Sequence, residues 1–264
     1  MTDIKFEKAP DGTAIAFRED GKADLGRCGI FWLGGYKSDM EGAKAEALAS
    51  LAREKRRPNL RFDYSGHGAS EGLFVDGTIS SWLEQSCHMF LAHAQGPRIV
   101  VGSSMGGWLA LLLYRHLARA NPIAARRIKG LVLLAPAADM TEELMWNTFP
   151  PEVREELEEK GVWMRPSDYG EPYAITKRLI DDGGKHLMLQ QGLTVQCPVR
   201  ILQGDQDPDV PAAHAVKVFG SLRGGDVTLT LIKGGDHRLS TPGHLTLLRE
   251  TVLRLAERAD GVNV

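Results

Sequence analysis

The chain has few cysteines and no long apolar run, and both shortages limit what it can be. Its three cysteines, Cys28, Cys87 and Cys197, are far apart and odd in number, which fits a reducing compartment better than a disulfide framework. No CxxC pair offers ligands for structural zinc. No run approaches the ~18 apolar residues of a membrane span, and the first residues lack the apolar core of a signal peptide. These absences predict a cytoplasmic protein without a membrane span.

An excess of charge of one sign is also missing. The 32 basic and 34 acidic residues leave a formal net charge of −2, and no segment concentrates enough lysine and arginine to bind a phosphate backbone. Nucleic acid is therefore not an expected partner. The chain is 43% hydrophobic and 25% charged, which is typical of a globular protein and excludes disorder. The sequence sets no oligomeric state.

Short apolar runs alternate with helical patterns along most of the chain. Asp11-Gly12 lies between alternating apolar residues and predicts an early hairpin, because this dipeptide suits a tight turn. The later apolar runs predict strands buried on both faces, each followed by residues at helical spacing. This rhythm predicts a mostly parallel sheet flanked by helices, with the hairpin at one edge. The predicted helices include Ala43–Leu51, Trp82–Ala92, Met105–Arg119, Ala212–Phe219 and Thr241–Glu257.

The rhythm breaks between residues 139 and 194, where an acidic helical pattern at Glu152–Lys160 stands without a clear strand. Long insertions in compact domains are usually functional, so we expect a helical lid, 139–194, inserted in a single domain, 1–264. Its methionine and aromatic residues could line a slot for an acyl group, although packing of the lid onto the domain explains them equally well. This apolar set is Met140, Leu144, Met145, Trp146, Phe149, Val162, Trp163 and Met164. The substrate contacts predicted from it are Trp146, Phe149, Trp163 and Met164.

The strongest local signal is Gly102-x-Ser104-x-Gly106, which lies between a predicted strand and a predicted helix. In this context the motif places a serine on a sharp turn above the sheet, and small residues two positions away let strand and helix approach. A glycine-rich turn with an N-cap serine is the alternative that the motif alone leaves open. A nucleophilic serine also needs a base, and an acid that orients the base.

Residue types suited to those two roles follow two late strands. Because reactive groups in open α/β sheets gather at the carboxyl ends of strands, these side chains could converge with Ser104. The residues alone leave three aspartates in competition for the acid, and His67, in Gly66-His67-Gly68, is a rival base. The candidates at the strand ends are Asp205, Asp207, Asp209 and His237.

Several segments resemble the α/β-hydrolase family. They are Arg61-Phe62-Asp63-Tyr64-Ser65-Gly66-x-Gly68-x-Ser70, Val101-Gly102-Ser103-Ser104-Met105-Gly106-Gly107-Trp108, Lys160-Gly161-Val162-Trp163, Gly204-x-x-Asp207-x-x-Val210-Pro211 and Asp236-His237-Arg238. Together they are similar to the abhydrolase group that includes mitochondrial palmitoyl-protein thioesterase, also described as an acyl-glucuronide esterase. The resemblance implies an α/β-hydrolase fold and a serine hydrolase that cleaves acyl esters or acyl thioesters through an acyl-enzyme intermediate.

The resemblance also implies residue roles. Ser104 takes the position of the nucleophile, Asp207 that of the acid and His237 that of the base, in the chain order of this family. The backbone N–H of Met105, directly after the nucleophile, and that of Tyr36, in Leu33-Gly34-Gly35-Tyr36, correspond to the two donors of the oxyanion hole. Gly34 departs from the histidine usual in that segment. Such a mechanism requires no metal and no organic cofactor.

Two other functions stay open. A carbon–carbon bond hydrolase or a small-ester esterase could use the same triad. A non-catalytic α/β-hydrolase could bind a small ligand, although the presence of all three triad residue types at the expected positions argues against this. In each case the expected partner is a small-molecule or acylated substrate.

Overall fold

An eight-stranded sheet forms the centre of the protein in a computed structural model that describes residues 2–21, 24, 26–166 and 171–262. The strands are β1 Lys5–Lys8, β2 Ala14–Asp20, β3 Gly29–Leu33, β4 Asn59–Phe62, β5 Arg98–Ser103, β6 Ile128–Leu134, β7 Val162–Arg165, β8 Tyr173–Thr176, β9 Leu193–Thr194, β10 Val199–Gly204, β11 Leu222–Arg223 and β12 Val227–Ile232. The order in the main sheet is β1-β2-β4-β3-β5-β6-β10-β12.

Most of this sheet is parallel. Strand β2 pairs antiparallel with both β1 and β4, and the remaining pairs of neighbours run parallel. The hairpin predicted around Asp11-Gly12 therefore lies at one edge of the sheet, as expected. Because parallel strands need crossover connections, helices must join them, and the α/β fold class is confirmed.

The helices begin and end close to their predicted bounds. They are α1 Ala43–Lys55, α2 Ile79–His93, α3 Met105–Ala120, α4 Pro122–Ala125, α5 Pro151–Lys160, α6 Lys177–Gly183, α7 Ala212–Ser221 and α8 Pro242–Ala259. Helix α8 begins one residue after the predicted Thr241, because this threonine is the N-cap and its side chain accepts a hydrogen bond from the His244 N–H. None of the helices in the described ranges is both long and apolar enough to cross a lipid bilayer.

Successive residues of a central strand enter two different cores. Ile99 and Val101 of β5 pack with apolar residues of α1 and α8 on one face of the sheet. Val100, between them, packs on the other face with residues of α2 and α3, among them Leu109. Since side chains alternate along a strand, a continuous apolar run is required where both faces are covered, which is the pattern on which the strand predictions relied.

The insertion between β6 and β10 is not wholly helical, which corrects the expectation for residues 139–194. It contains a π-helical turn, Thr141–Trp146, the helices α5 and α6, and a 3₁₀ turn, Gly184–His186. It also contains a hairpin, in which β7 and β8 pair antiparallel with Val162 opposite Thr176. Each strand has only four residues, too few for the period of two to be recognised in the sequence. The single-domain boundary at 1–264 stays a prediction.

Candidate active site

Ser104 lies on a strained turn where β5 ends and α3 begins. Its backbone has φ 54° and ψ −119°, a combination that a residue with a side chain adopts only when its surroundings impose it. The surroundings do so here, because the Ser104 N–H donates to the carbonyl of Leu134 at 2.8 Å. A Cβ on Gly106 would overlap the carbonyl oxygens of Leu33 and Gly34. Only glycine at position 106 therefore lets α3 approach β3 closely enough to form this turn.

His237 and Asp207 complete a hydrogen-bonded chain with Ser104. His237 Nε2 lies 3.1 Å from Ser104 Oγ, and His237 Nδ1 lies 2.8 Å from Asp207 Oδ2. The three residues follow β5, β10 and β12, whose carboxyl ends meet at the same edge of the sheet. The ends of β10 and β12 approach so closely that a Cβ on Gly204 would overlap the carbonyl of Gly235. The structure thus brings together the three side chains that were expected to converge.

The groups around Asp207 hold its carboxylate in one orientation as a hydrogen-bond acceptor. Its side chain is buried, and Oδ1 accepts the backbone N–H of Asp209 at 2.9 Å and that of Val210 at 2.8 Å. Oδ2 accepts Gln203 Nε2 at 3.2 Å as well as the histidine. Because these partners donate, the carboxylate holds the proton of His237 on Nδ1 and leaves Nε2 free to accept the Ser104 hydroxyl proton.

The rival residues are engaged elsewhere. Asp205 accepts Lys233 Nζ at 2.7 Å and the Gly234 N–H at 2.6 Å at the surface, and Asp209 lies 3.6 Å from Arg165 Nη2. His67 is 4% exposed, and both its ring nitrogens face backbone groups. Of the three aspartates, Asp207 is the one in hydrogen-bond contact with His237.

The two expected oxyanion donors flank the serine on the backbone. Met105 is the first residue of α3, where N–H groups have no partner inside the helix. The loop that carries Tyr36 runs against the serine, since a Cβ on Gly35 would lie 3.4 Å from Ser104 Cβ. Within the described parts of the chain, neither the Tyr36 N–H nor the Met105 N–H donates a hydrogen bond. Their role at an oxyanion stays a prediction.

A cavity of about 550 Å³ opens at Ser104 and His237. Its size lies within the usual range for small-molecule sites, roughly 300–1,000 Å³. Part of the wall is apolar and is formed by Ala137, Met140, Leu144, Met145 and Val210. The charged side chains of the wall are Lys37, Asp39, Lys44, Arg165, Glu171, Asp209 and Arg238. The cavity can therefore receive a molecule with one apolar and one polar part.

The four side chains predicted as substrate contacts lie away from this wall. Phe149 and Trp163 pack against each other, with ring centroids 5.2 Å apart. Trp146 lies under the cations of Arg154 and Lys177, and Met164 is 53% exposed. This corrects the expectation for Trp146, Phe149, Trp163 and Met164, because the aromatic residues are used to pack the insertion itself. Met140, Leu144 and Met145, which belong to the same apolar set, do reach the cavity.

Sequence reasoning missed two features of the wall. Lys44 lies in the first turn of α1 and donates a hydrogen bond to the carbonyl of Arg238, next to His237. Burial lowers the pKa of the Lys44 ammonium to about 8. Tyr173 reaches the wall from β8, opposite Arg165 in the hairpin. No sequence signal marks either residue, since Lys44 fits an ordinary helical pattern and the hairpin was not predicted.

One group of possible metal ligands occurs among the described residues. Ligand atoms of Asp207, Asp209 and His237 lie within 4.8 Å of one another. These atoms are already engaged, because Asp207 accepts backbone N–H groups and the histidine, and Asp209 pairs with Arg165. The donor set suits a hydrogen-bonded triad better than a cation site. That no metal or cofactor takes part stays a prediction.

Comparisons with known proteins place this geometry in context. A model of the alpha/beta hydrolase family matches residues 30–247. Palmitoyl-protein thioesterase ABHD10, mitochondrial, of Bos taurus is 35% identical over 97% of this chain and 81% of its own. The solved structure of mouse alpha/beta hydrolase domain-containing protein 10 has a TM-score of 0.84 and 32% identity, over 97% of this chain and 99% of that one. A protein of Agrobacterium vitis S4, presumed to be a hydrolase, has a TM-score of 0.92 and 40% identity over the same shares.

These names contradict the expected cytoplasmic location. The bovine relative and four others of the same name are all described as mitochondrial, so the cytoplasmic prediction is wrong by this comparison. All three cysteines are free thiols, as expected. Unpaired cysteines do not by themselves identify a compartment. The prediction failed because it inferred one specific compartment from few cysteines and from the lack of an apolar signal-peptide core.

Proposed function

Because this chain belongs to the alpha/beta hydrolase family and is a hydrolase, we propose that it cleaves acyl esters and acyl thioesters with Ser104, His237 and Asp207. The observation that carries the proposal is the hydrogen-bonded chain from Ser104 Oγ through His237 to Asp207, with distances of 3.1 and 2.8 Å. The resemblance to proteins named palmitoyl-protein thioesterase supports an acyl group as the part of the substrate that is transferred.

The first half of the reaction forms an acyl-enzyme. Ser104 Oγ attacks the acyl carbonyl carbon while its proton passes to His237 Nε2, and Asp207 stabilises the resulting imidazolium through Nδ1. The carbonyl oxygen becomes an oxyanion, to which the N–H groups of Tyr36 and Met105 donate. When the tetrahedral intermediate collapses, the bond to the leaving oxygen or sulfur breaks. His237 then gives its proton to that atom, so that an alcohol or a thiol departs.

The second half releases the acid. Water attacks the acyl carbon, its proton passes to His237, and a second oxyanion forms in the same place. Collapse of this intermediate breaks the bond to Ser104 Oγ, which takes the proton back from the histidine. The products are a carboxylic acid and the regenerated enzyme. We place the acyl group against Met140, Leu144 and Met145 of the cavity wall.

The test is hydrolysis of matched acyl esters and acyl thioesters of increasing chain length by wild type and Ser104→Ala. We expect wild-type turnover and a loss of at least ~10³-fold in kcat for the variant. Ser50→Ala is the matched control, since Ser50 is exposed on α1 and does not line the cavity. Mass spectrometry of an acid-quenched reaction should find the acyl group on the peptide that contains Ser104.

The same panel separates the other functions. Equal rates for wild type and Ser104→Ala would exclude Ser104 as the nucleophile. Turnover of a carbon–carbon substrate, with none of any ester or thioester, would favour a carbon–carbon bond hydrolase. Binding of an acyl ligand by both proteins without turnover by either would leave a non-catalytic binding protein.

A further inference from the structure

Two side chains of the loop after β4 accept hydrogen bonds from the backbone of a second loop, which lies beside Ser104. The first loop, after β4, carries Asp63 and His67, and the second, between β3 and α1, carries Tyr36. The Lys37 N–H donates to His67 Nε2 at 3.1 Å, and the Met40 N–H donates to Asp63 Oδ1 at 2.7 Å. The segment that bears the Tyr36 N–H is therefore held from outside by two side-chain acceptors.

His67 is built to accept this hydrogen bond rather than to transfer protons. Its Nδ1 lies 3.2 Å from the carbonyl oxygen of Ser65, and because a carbonyl only accepts, Nδ1 must carry the proton. Nε2 then has the lone pair that receives the Lys37 N–H. Burial lowers the pKa of His67 to about 4, which keeps the ring neutral near pH 7. The rings of Tyr64, Phe74 and Trp82 surround it, with centroids 5.1 to 5.6 Å away.

The hydrogen bond falls on a strained turn. Gly35 to Ser38 form a turn closed by the Ser38 N–H and the Gly35 carbonyl at 3.2 Å. Lys37, its third residue, has φ 56°, while Tyr36 has no positive φ. This is the signature of a type II turn, which prefers glycine at the third position because a Cβ is strained there. Rotation of the Tyr36–Lys37 peptide would convert the turn to type I and relieve the backbone strain at Lys37. The same rotation would turn the Lys37 N–H away from His67.

The orientation of this turn decides where the Tyr36 N–H points. The Tyr36 N–H and the Gly35 carbonyl belong to the same peptide group. The carbonyl faces the Ser38 N–H, and because the two groups of a trans peptide point in opposite directions, the Tyr36 N–H points away from Ser38. Gly35 itself lies against Ser104. Without an acceptor at position 67, the Lys37 N–H loses the partner that holds it against the loop after β4, and the Tyr36–Lys37 loop can withdraw from it. Withdrawal carries the Gly35–Tyr36 peptide with it and displaces the Tyr36 N–H.

We propose that His67 is a positioning residue that holds the Tyr36–Lys37 turn so that the Tyr36 N–H stays directed at the forming oxyanion. This inference rests on the proposed function, since it assigns Tyr36 to the oxyanion hole. His67 does not touch the reacting atoms and acts through the backbone. A third contact of the loop, the Tyr36 hydroxyl donating to the Ala174 carbonyl at 2.9 Å, limits how far the loop withdraws when the His67 contact is lost.

Three substitutions separate this role from mere packing. His67→Gln places an oxygen near the position of Nε2 and keeps the acceptor. His67→Asn places its oxygen near Nδ1, too short to reach Lys37, and His67→Phe keeps a ring without any acceptor. For the asparagine and phenylalanine variants we expect kcat to fall ~10–100-fold, below the ~10²–10³-fold loss of a whole oxyanion donor. KM should change less than about 3-fold, and the glutamine variant should stay within about 3-fold of wild type in kcat.

The second readout is binding of two inhibitors. A boronic acid that forms a tetrahedral adduct with Ser104 should lose affinity in parallel with kcat, because it needs the oxyanion donors. The carboxylic acid product should bind wild type and variants alike. Thermal unfolding identifies any variant that is not folded. If one of the two acceptor-free variants does not fold, the other still tests the proposal against His67→Gln.

The outcomes are distinct from those for the proposed function. If wild type is inactive, or if Ser104→Ala is as active as wild type, the proposed function fails. If wild type is active, Ser104→Ala inactive and both acceptor-free variants keep wild-type kcat, His67 does not position the turn. Equal losses in kcat, in boronic acid affinity and in product affinity, unrescued by glutamine, would also overturn the inference, because they would indicate a general collapse of the cavity.

Discussion

At the scale of single residues, the site depends on acceptors that hold donors in place. Asp207 receives two backbone N–H groups, an amide and the His237 ring. His67 does the same for one N–H of the neighbouring loop. In both cases a buried side chain has each polar atom paired, as burial requires. Their replacement therefore changes the orientation of a group more than it changes the space that the group occupies.

Asp207→Asn should lower kcat by about 10⁴-fold with little change in fold, because the amide can donate toward Nδ1 and favour the wrong tautomer of His237. Steady-state kinetics on one ester measures the effect. Asp205→Asn is the matched control, since Asp205 contacts Lys233 and Gly234 at the surface and should keep kcat within about 3-fold. A loss in the control equal to that in Asp207→Asn would contradict the assignment of the acid.

The unfolding free energy should depend on pH through His67. Its pKa is about 4 in the folded protein against 6.5 for an ordinary histidine, so between these values the unfolded chain binds more protons. Stability is then lost as the pH falls from about 6.5 to about 4, by up to roughly 3 kcal/mol. Urea unfolding across this window should show the loss in wild type. His67→Gln has no proton to bind, so the stability of wild type relative to this variant should fall by that amount as the pH drops through the window, and parallel curves would refute the prediction.

At the scale of elements, the insertion contributes apolar side chains to the cavity from the segment around its π-helical turn, while its hairpin contributes Arg165 and Tyr173. Met140 precedes this turn, and Leu144 and Met145 lie within it. The aromatic residues Phe149 and Trp163 instead join the end of the turn to β7. Asp139 joins the two ends of the insertion, because its carboxylate accepts the N–H groups of Met188 and Leu189. Within the apolar wall, the turn and the residue before it thus supply Met140, Leu144 and Met145, which lie with Ala137 and Val210.

Leu144→Ala should shift the preferred acyl chain to greater length, because removing these carbons enlarges the apolar part of the cavity. We expect the ratio of kcat/KM between a longer and a shorter ester to rise about 10-fold, as for one or two methylene groups in an apolar pocket. The measurement is kcat/KM across a chain-length series. Met164→Ala, at an exposed position off the cavity, should leave the preference unchanged. An equal shift in both variants would show that the turn does not contact the acyl group.

At the scale of the whole molecule, a buried ion pair joins the C-terminal end of α8 to the start of β3. Arg57 Nη1 lies 2.7 Å from Asp260 Oδ2 and 2.8 Å from the carbonyl of Cys28, whose N–H donates to Asp260 Oδ1 at 2.7 Å. The Arg57 side chain is 1% exposed. Removing one partner of such a pair leaves a buried charge unpaired, which costs more than the pair contributes.

Asp260→Ala should therefore lower the unfolding free energy by about 3 kcal/mol. kcat should change less than about 2-fold, since this end of α8 is far from the carboxyl ends of the strands. Urea unfolding and ester hydrolysis measure the two effects. Glu19→Ala removes a partner from the exposed pair with Lys5 and should cost less than about 1 kcal/mol. Equal losses of stability in the two variants would contradict the role of burial.

Local chemistry accounts for what the sequence by itself determined. The strand and helix rhythm, the edge hairpin and the turn at Gly102-x-Ser104-x-Gly106 depend on residues within a few positions of one another, and the structure agrees with them. The hairpin β7–β8 escaped prediction because four-residue strands are too short to show a period. Location escaped it too, since cysteine usage speaks only to redox conditions.

Tertiary structure alone decided which side chains meet. Three aspartates lie within five positions after β10, and only the bend of that loop brings Asp207 rather than Asp205 or Asp209 to His237. The cavity wall depends on how the insertion folds back over the sheet. For this reason Met140, Leu144 and Met145 line the cavity, whereas Phe149 and Trp163, from the same apolar set, pack inside the insertion. The contact of His67 with Lys37 exists because β4 lies beside β3 in the sheet. Distances between segments remote in the chain are set by packing, and no local pattern of residues encodes them.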